Sequence, residues 1–244
     1  DGVCETFGIE AQGSVFMQPL PVYHSYAFTV SMYSLKKGAH TLFIPNPRDL
    51  GSVVDAFEQY KPTVFCGLNT LFVALCNDPR FQSLTFENLA LTMSGGMALT
   101  QDAAERWAEV TECKVYEGYG LTETSPTATS NPGNGRQLGT IGIPVPQTEV
   151  KTVNEHGETL GFGDAGELCI KGPQVMQGYW QRPEATAEVL DESGWFSTGD
   201  VAVIQPDGYL KIVDRIKDMI IVSGFNVYPN ELEDVCAKHS RVLE

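Results

Sequence analysis

Apolar residues recur along the first 120 or so positions with two alternating periods. Short runs such as "SVFMQPL" (14–20), "HTLFI" (40–44), "TVFCG" (63–67), "LALTMS" (89–94) and "CKVYEG" (113–118) read as strands. Between them the spacing turns helical. "SYAFTVSMYSLKKG" (25–38) predicts a helix that stops at Gly38, and Leu50, Val53, Val54, Phe57 and Tyr60 mark an amphipathic helix over 50–60. Asn69 is expected to cap a helix running to about Cys76, and Thr100 to cap one that turns Ala103, Ala104, Trp107 and Ala108 inward. Strands and helices taking turns at this spacing predict an α/β fold, a mostly parallel sheet with flanking helices.

The pattern changes near Ser130. "NPGNGRQ" is rich in turn formers, and after it come the short β-like pieces "EVKTV", "GELCIKG", "DVAVIQ" and "YLKIV". Turns at Glu155-His156-Gly157 and Pro206-Asp207-Gly208 separate them, as expected of a β-rich, barrel-like subdomain, with a sandwich also open. From about Asp214 a new unit begins: the strand-like "MIIVSG", then "YPNELEDVCAKH", where Asn230 is a helix cap with Glu231 and Glu233 in the first turn. The expected organisation is an α/β part over 1–130, a β-rich subdomain over 131–213, and the start of a small α+β domain over 214–244.

Charge narrows the function. The 244 residues carry 31 acidic and 16 basic side chains, a formal charge of −15, which speaks against a general nucleic-acid binder. The six cysteines form no CxxC pair and no zinc spacing; they read as reduced and mostly buried, as in a cytoplasmic protein. The longest apolar stretch, near Thr63 to Cys76, is too short to span a bilayer and contains Asn69. The first residues show no signal-peptide pattern.

Open α/β sheets bind ligands at the carboxyl ends of their strands. Two glycine-containing loops follow strands here, "SGGMAL" (94–99) and "EGYGLTET" (117–124). Glycine lets a flat or charged ligand approach the backbone, Tyr119 offers a face for an aromatic base, Thr122 a hydroxyl for a phosphate oxygen, and Glu123 an oxygen ligand for magnesium. On spacing alone, an ordinary βα turn is the stronger reading of each loop. Asp200, closing "WFSTGD", has the two oxygens needed by a ribose cis-diol, although by itself a turn aspartate is the stronger reading. "VDRIKDMIIVSG" (213–224) is either a solvated linker or a hinge. His24, in "PLPVYHSYAF", lies among apolar and aromatic neighbours with no paired nucleophile, and no GxSxG elbow is present.

No one of these pieces is specific, but their order is. "PLPVYHSYA", "SGGMALT", "EGYGLTETSP", "GELCIKGPQVMQGYW", "GWFSTGD" and "GYLKIVDRIKDMIIVSGFNVYPNELED" follow one another with sensible gaps. The series closely resembles the adenylate-forming superfamily, and within it the bacterial long-chain fatty-acid–CoA ligases. The resemblance runs over essentially the whole chain and implies ATP-dependent activation of a fatty acid to acyl-AMP, then transfer to coenzyme A, with Mg²⁺ at the phosphates.

It also implies roles. Tyr119 would stack on adenine, with Glu117 and Gly118 beside it and the backbone of Gly95, Gly96 and Met97 walling the other side. Thr122 would touch the α-phosphate, Glu123 would bind Mg²⁺, and His24 would stand near the reacting carboxylate. Asp200 would take the ribose hydroxyls and Arg215 the ribose or phosphate side. Lys217 matches the hinge and Gly224 the coenzyme A path. The family's phosphate-cradling Ser/Thr/Gly loop and its late lysine are absent from the 244 residues, so the resemblance implies a central fragment with little activity by itself. The partners expected are fatty acid, ATP and coenzyme A in the cytoplasm and no nucleic acid, with peripheral membrane association and a homo-oligomeric parent left open. A ligase for an aryl or medium-chain acid, or a non-catalytic nucleotide-binding module, are the alternatives.

Overall fold

Both faces of the first sheet are buried, and the sequence alternation says which residue goes where. In β3 (Val64–Gly67), Val64 and Cys66 pack with Phe16, Val30 and Leu91 on one face, while Phe65 packs with Phe57, Phe72 and Trp107 on the other. The computed structural model describes residues 13–222 and 225–229, together with Ile9, Leu232, Val235, Cys236 and Val242. It divides into two units, residues 1–145 and 146–244.

In the first unit, β1 (Val15–Gln18), α1 (Ser25–Lys37), β2 (His40–Phe43), α2 (Leu50–Tyr60), β3, α3 (Asn69–Asn77), α4 (Pro79–Gln82), β4 (Leu91–Ser94), α5 (Gln101–Thr111) and β5 (Val115–Tyr119) follow in order. β6 (Thr129–Ser130) and β7 (Ile143–Pro144) complete a sheet of order β2-β1-β3-β4-β5-β6-β7. The first five strands run parallel, and β6 and β7 add antiparallel at the β5 edge. The expected mostly parallel sheet is thus present. Its register aligns Gly67 and Ser94, the last residues of β3 and β4, with Glu117 in the middle of β5.

The core under α2, α3 and α5 is aromatic. Phe57, Phe65, Phe72, Phe81 and Trp107 meet at centroid distances of 4.9 to 6.4 Å, mostly edge-to-face. Such pairs add about 0.5–1.5 kcal/mol each beyond area burial. The indole N–H of fully buried Trp107 donates to Thr92 Oγ1 at 3.1 Å, so its one polar atom is satisfied. Helix ends follow the sequence signals in two cases: Gly38, in the left-handed region, closes α1, and Thr100 Oγ1 accepts from Ala103 N–H at the start of α5. Asn69 differs from expectation. Leu68 holds the cap position of α3, and the Asn69 side chain instead accepts from both the N–H and the hydroxyl of Thr100.

The second unit is β-rich. β8 (Glu149–Val153), β9 (Ala165–Lys171), β10 (Phe196–Ile204) and β11 (Leu210–Arg215) form an antiparallel sheet of order β11-β10-β9-β8, with α6 (Pro183–Val189) between β9 and β10. A two-stranded hairpin of β12 (Ile220–Val222) and β13 (Phe225–Val227) follows. β10 begins earlier than its apolar alternation suggests, because its register shifts on either side of Val201 and the run Thr198 to Asp200 lies in the irregular stretch. Cys66, Cys76, Cys113 and Cys169 are buried free thiols and Cys236 is exposed. No helix among the described residues is long and apolar enough to cross a membrane. The Asn230 cap with Glu231 and Glu233, and Gly224, lie outside the described residues.

Candidate nucleotide site

The "EGYGLTET" stretch is half strand and half turn. Glu117, Gly118 and Tyr119 end β5, and Gly118 and Tyr119 pair with Ser130 and Thr129 of β6. Gly120 then passes so close to the returning chain that a Cβ there would lie 1.5 Å from the Pro126 carbonyl oxygen, so only glycine fits. A single 3₁₀ turn (Thr122–Thr124) follows. Thr124, fully buried, holds that turn: its hydroxyl lies 2.7 Å from Pro126 O and accepts from Leu121 N–H at 2.9 Å. Fixing Thr124 inward leaves Thr122 exposed and Glu123 half-buried on the turn's surface.

The start of α1 ties this turn to the second glycine loop through three consecutive residues. His24 caps the helix, its Nδ1 accepting from Tyr26 N–H at 3.3 Å. Ser25 Oγ stands 3.3 Å from Thr122 Oγ1. Tyr26 donates its hydroxyl to Met93 O at 3.2 Å and lays its ring along Gly95, where a Cβ would sit 3.5 Å from it. His24, the Gly95–Met97 loop and Thr122 are therefore brought to one edge of the sheet, with Gly96 and Met97 exposed. The sequence pattern points to none of Ser25, Tyr26 and Thr124, although "HSY" and "TET" lie inside the motifs that carry the resemblance.

Glu117 sets the electrostatics. Burial pushes its carboxyl up to about 7, against the opposing pull of the Gly139 N–H on Oε2 at 3.2 Å and of the Arg136 charge. A carboxyl poised there donates or accepts a hydrogen bond near neutral pH.

In the second unit, Asp200 and Arg215 are cross-strand partners in register, and the Arg215 Nε lies 3.3 Å from Asp200 Oδ1. Asp200 is buried, with its N–H on Thr198 Oγ1 at 3.1 Å, whereas Arg215 is exposed. Gly199 N–H donates to Glu167 Oε1 at 3.0 Å, and Ile216 N–H to Gly199 O at 2.9 Å, which fixes the bulge around the aspartate. Lys217 is exposed in the turn between β11 and β12, where Asp218 and Met219 both donate to Arg215 O.

Among the described residues, no three His, Cys, Asp or Glu side chains gather as a metal cage. Magnesium does not require one, since it is commonly held by one or two carboxylates and substrate phosphates. Glu123, which follows Thr122 in the turn, supplies a carboxylate of that kind.

Comparison with known proteins decides the family. A family model described as AMP-binding enzyme matches residues 2–180, which contain His24, both glycine loops and the Thr122–Glu123 turn. The chain belongs to the AMP-binding enzyme family. It is 50% identical over 227 residues to the long-chain-fatty-acid–CoA ligase of Salmonella typhimurium, covering 92% of this chain and 40% of that protein. Among solved structures, ATP-bound MatB from Rhodopseudomonas palustris superposes with a TM-score of 0.88 at 32% identity, over 98% of this chain and 47% of that one. O-succinylbenzoate coenzyme A synthetase (MenE) from Bacillus subtilis, in complex with ATP and magnesium ion, gives 0.83 at 25% identity, over 94% and 47%. The chain thus spans less than half the length of these relatives.

Proposed function

We propose that the protein is an ATP-dependent acid–thiol ligase that activates a long-chain fatty acid to acyl-AMP and passes the acyl group to coenzyme A. One observation carries the reading: the edge that gathers His24, Gly95–Met97, Thr122 and Glu123 falls within the AMP-binding match, in a chain 50% identical to a long-chain-fatty-acid–CoA ligase.

In the first step a carboxylate oxygen of the acid attacks the α-phosphorus and the bond to pyrophosphate breaks. The Thr122 hydroxyl is suited to donate to an α-phosphate oxygen as charge builds there. Glu123 would hold Mg²⁺, which when bound neutralises phosphate charge. Tyr119, anchored by its pairing with Thr129, offers adenine a fixed face, with Glu117, Gly118 and the Gly95–Gly96–Met97 backbone beside it. His24 borders the reacting carboxylate. Asp200, with two acceptor oxygens, suits the ribose diol, and Arg215 the ribose or phosphate side. In the second step the coenzyme A sulfur attacks the acyl carbon and AMP leaves. Lys217 would be the hinge for the rearrangement between steps, and Gly224 would line the thiol's path.

The reading puts the reaction in the cytoplasm, with fatty acid met at the inner face of the membrane. The likeness to MenE, whose name gives O-succinylbenzoate as its acid, favours one second reading, a ligase for an aryl acid. Thioester formation by the full-length protein with palmitate, octanoate and benzoate separates them. Highest kcat/KM on palmitate supports the proposal, preference for benzoate supports the second reading, and no AMP release with any acid refutes both.

A further inference from the structure

β5 has a strand partner on its β6 side only at Gly118 and Tyr119. Upstream of these, the segment 131–142, which joins β6 to β7, takes the place of a strand. Asn131 N–H donates to Glu117 O at 2.9 Å, and Arg136 Nε donates to Val115 O at 2.6 Å. The carbonyls that an edge strand would leave open are thereby paired. The Arg136 guanidinium also lies 6.0 Å from the Tyr116 ring centre, Tyr116 donates its hydroxyl to Gly133 O, and Gly139 N–H reaches the Glu117 carboxylate.

Asn131 is the hub of this segment. It is 1% exposed, and every polar group of its side chain is used. Nδ2 donates to Thr140 O at 2.7 Å and lies 3.3 Å from Glu117 O, while Oδ1 accepts from Gln137 N–H at 2.9 Å. The segment is pressed close as well: a Cβ on Gly142 would lie 2.1 Å from the Ser130 carbonyl carbon. Only the amide pattern of two donors and one acceptor satisfies these partners. An aspartate of the same shape would set an oxygen against the carbonyls of Thr140 and Glu117.

We propose that Asn131 is a positioning residue for nucleotide binding: it fixes the Glu117 carbonyl, and through it the Glu117–Tyr119 face, without touching the ligand. This rests on the reading above, in which that face meets adenine. Placement errors of about 1 Å in a binding group cost about 10²-fold in favourable cases.

The test is steady-state kinetics of the full-length protein carrying Asn131→Ala, Asn131→Asp or, as a control of matched thermal destabilisation, Phe81→Leu in the aromatic core. KM for ATP about tenfold higher or more in both Asn131 variants is expected, well below their melting temperatures, with KM for coenzyme A within about twofold. Phe81→Leu is expected to leave KM for ATP unchanged. If KM for ATP follows the melting temperature across all three, or stays at the wild-type value in the Asn131 variants, the positioning role is refuted. Should the alanine variant fail to fold, the near-isosteric aspartate decides alone by the same comparison. A wild-type protein that does not use ATP overturns the ligase reading and this role with it; wild-type ATP use with indifferent variants overturns this role only.

Discussion

The hydroxyls of Ser25 and Thr122, 97 positions apart in sequence, stand 3.3 Å from one another and join the first turn of α1 to the turn that follows β5. That contact sets where the proposed phosphate donor points. Thr122→Val removes the hydroxyl from an exposed position, so stability should change by about 0.5 kcal/mol or less. ATP–pyrophosphate exchange should fall by about 10²-fold. Ser25→Ala keeps the donor but frees it, and its exchange rate should lie between wild type and Thr122→Val.

Glu117 should make stability depend on pH. Burial lifts its pKa from 4.5 to about 7, so between these values the unfolded chain ionises while the folded chain keeps its proton. Its contribution is therefore full below pH 4.5, declines as pH rises, and is gone above about 7, a difference on the order of 3 kcal/mol. Glu117→Gln keeps an oxygen for the Gly139 N–H and cannot ionise. Urea midpoints from about pH 5 to about pH 8 should fall less steeply for this variant than for wild type.

The Asp200–Arg215 pair should matter more to the ligand than to the fold. Arg215 is largely in water, so Asp200→Asn is expected to change stability by about 1 kcal/mol or less. If the aspartate reads the ribose, wild type should prefer ATP to 2′-deoxy-ATP, and the preference should shrink about tenfold in Asp200→Asn. Comparing kcat/KM for the two nucleotides in both proteins checks this.

Trp107→Phe should cost about 1–2 kcal/mol in urea unfolding, through the lost bond to Thr92 Oγ1 and a void among the aromatic rings. KM values measured well below the transition should not move.

What was legible in the sequence follows from what leaves a local trace. α2 runs from Leu50 to Tyr60 as its apolar spacing predicts, and β3 shows the unbroken apolar run of a strand buried on both faces. α6 leaves no such trace, because it buries no side chain and so has no apolar stripe. β6 and β7, two residues each, are too short to show a period. Asn69 looked like a cap because asparagine favours that place; its actual partner, Thr100, is 31 residues away and invisible locally. The candidate site divides in the same way. Thr122, Glu123 and Asp200 are proposed from the motifs that carry the resemblance, since on spacing alone an ordinary turn is the stronger reading of each. Ser25, Tyr26 and Asn131 act through hydrogen bonds to residues well separated in sequence, and nothing in their own neighbourhoods reports it, whereas Thr124 bonds locally, to Leu121 and Pro126, inside a turn too short to show a period.

The ligase reading is tested most directly by exchange of labelled pyrophosphate into ATP, catalysed by the full-length protein with and without palmitate and repeated with Glu123→Gln. Exchange that requires the fatty acid and drops by about 10²-fold in the variant is the expected result. Exchange that is absent in wild type, or indifferent to both the acid and Glu123, would contradict it.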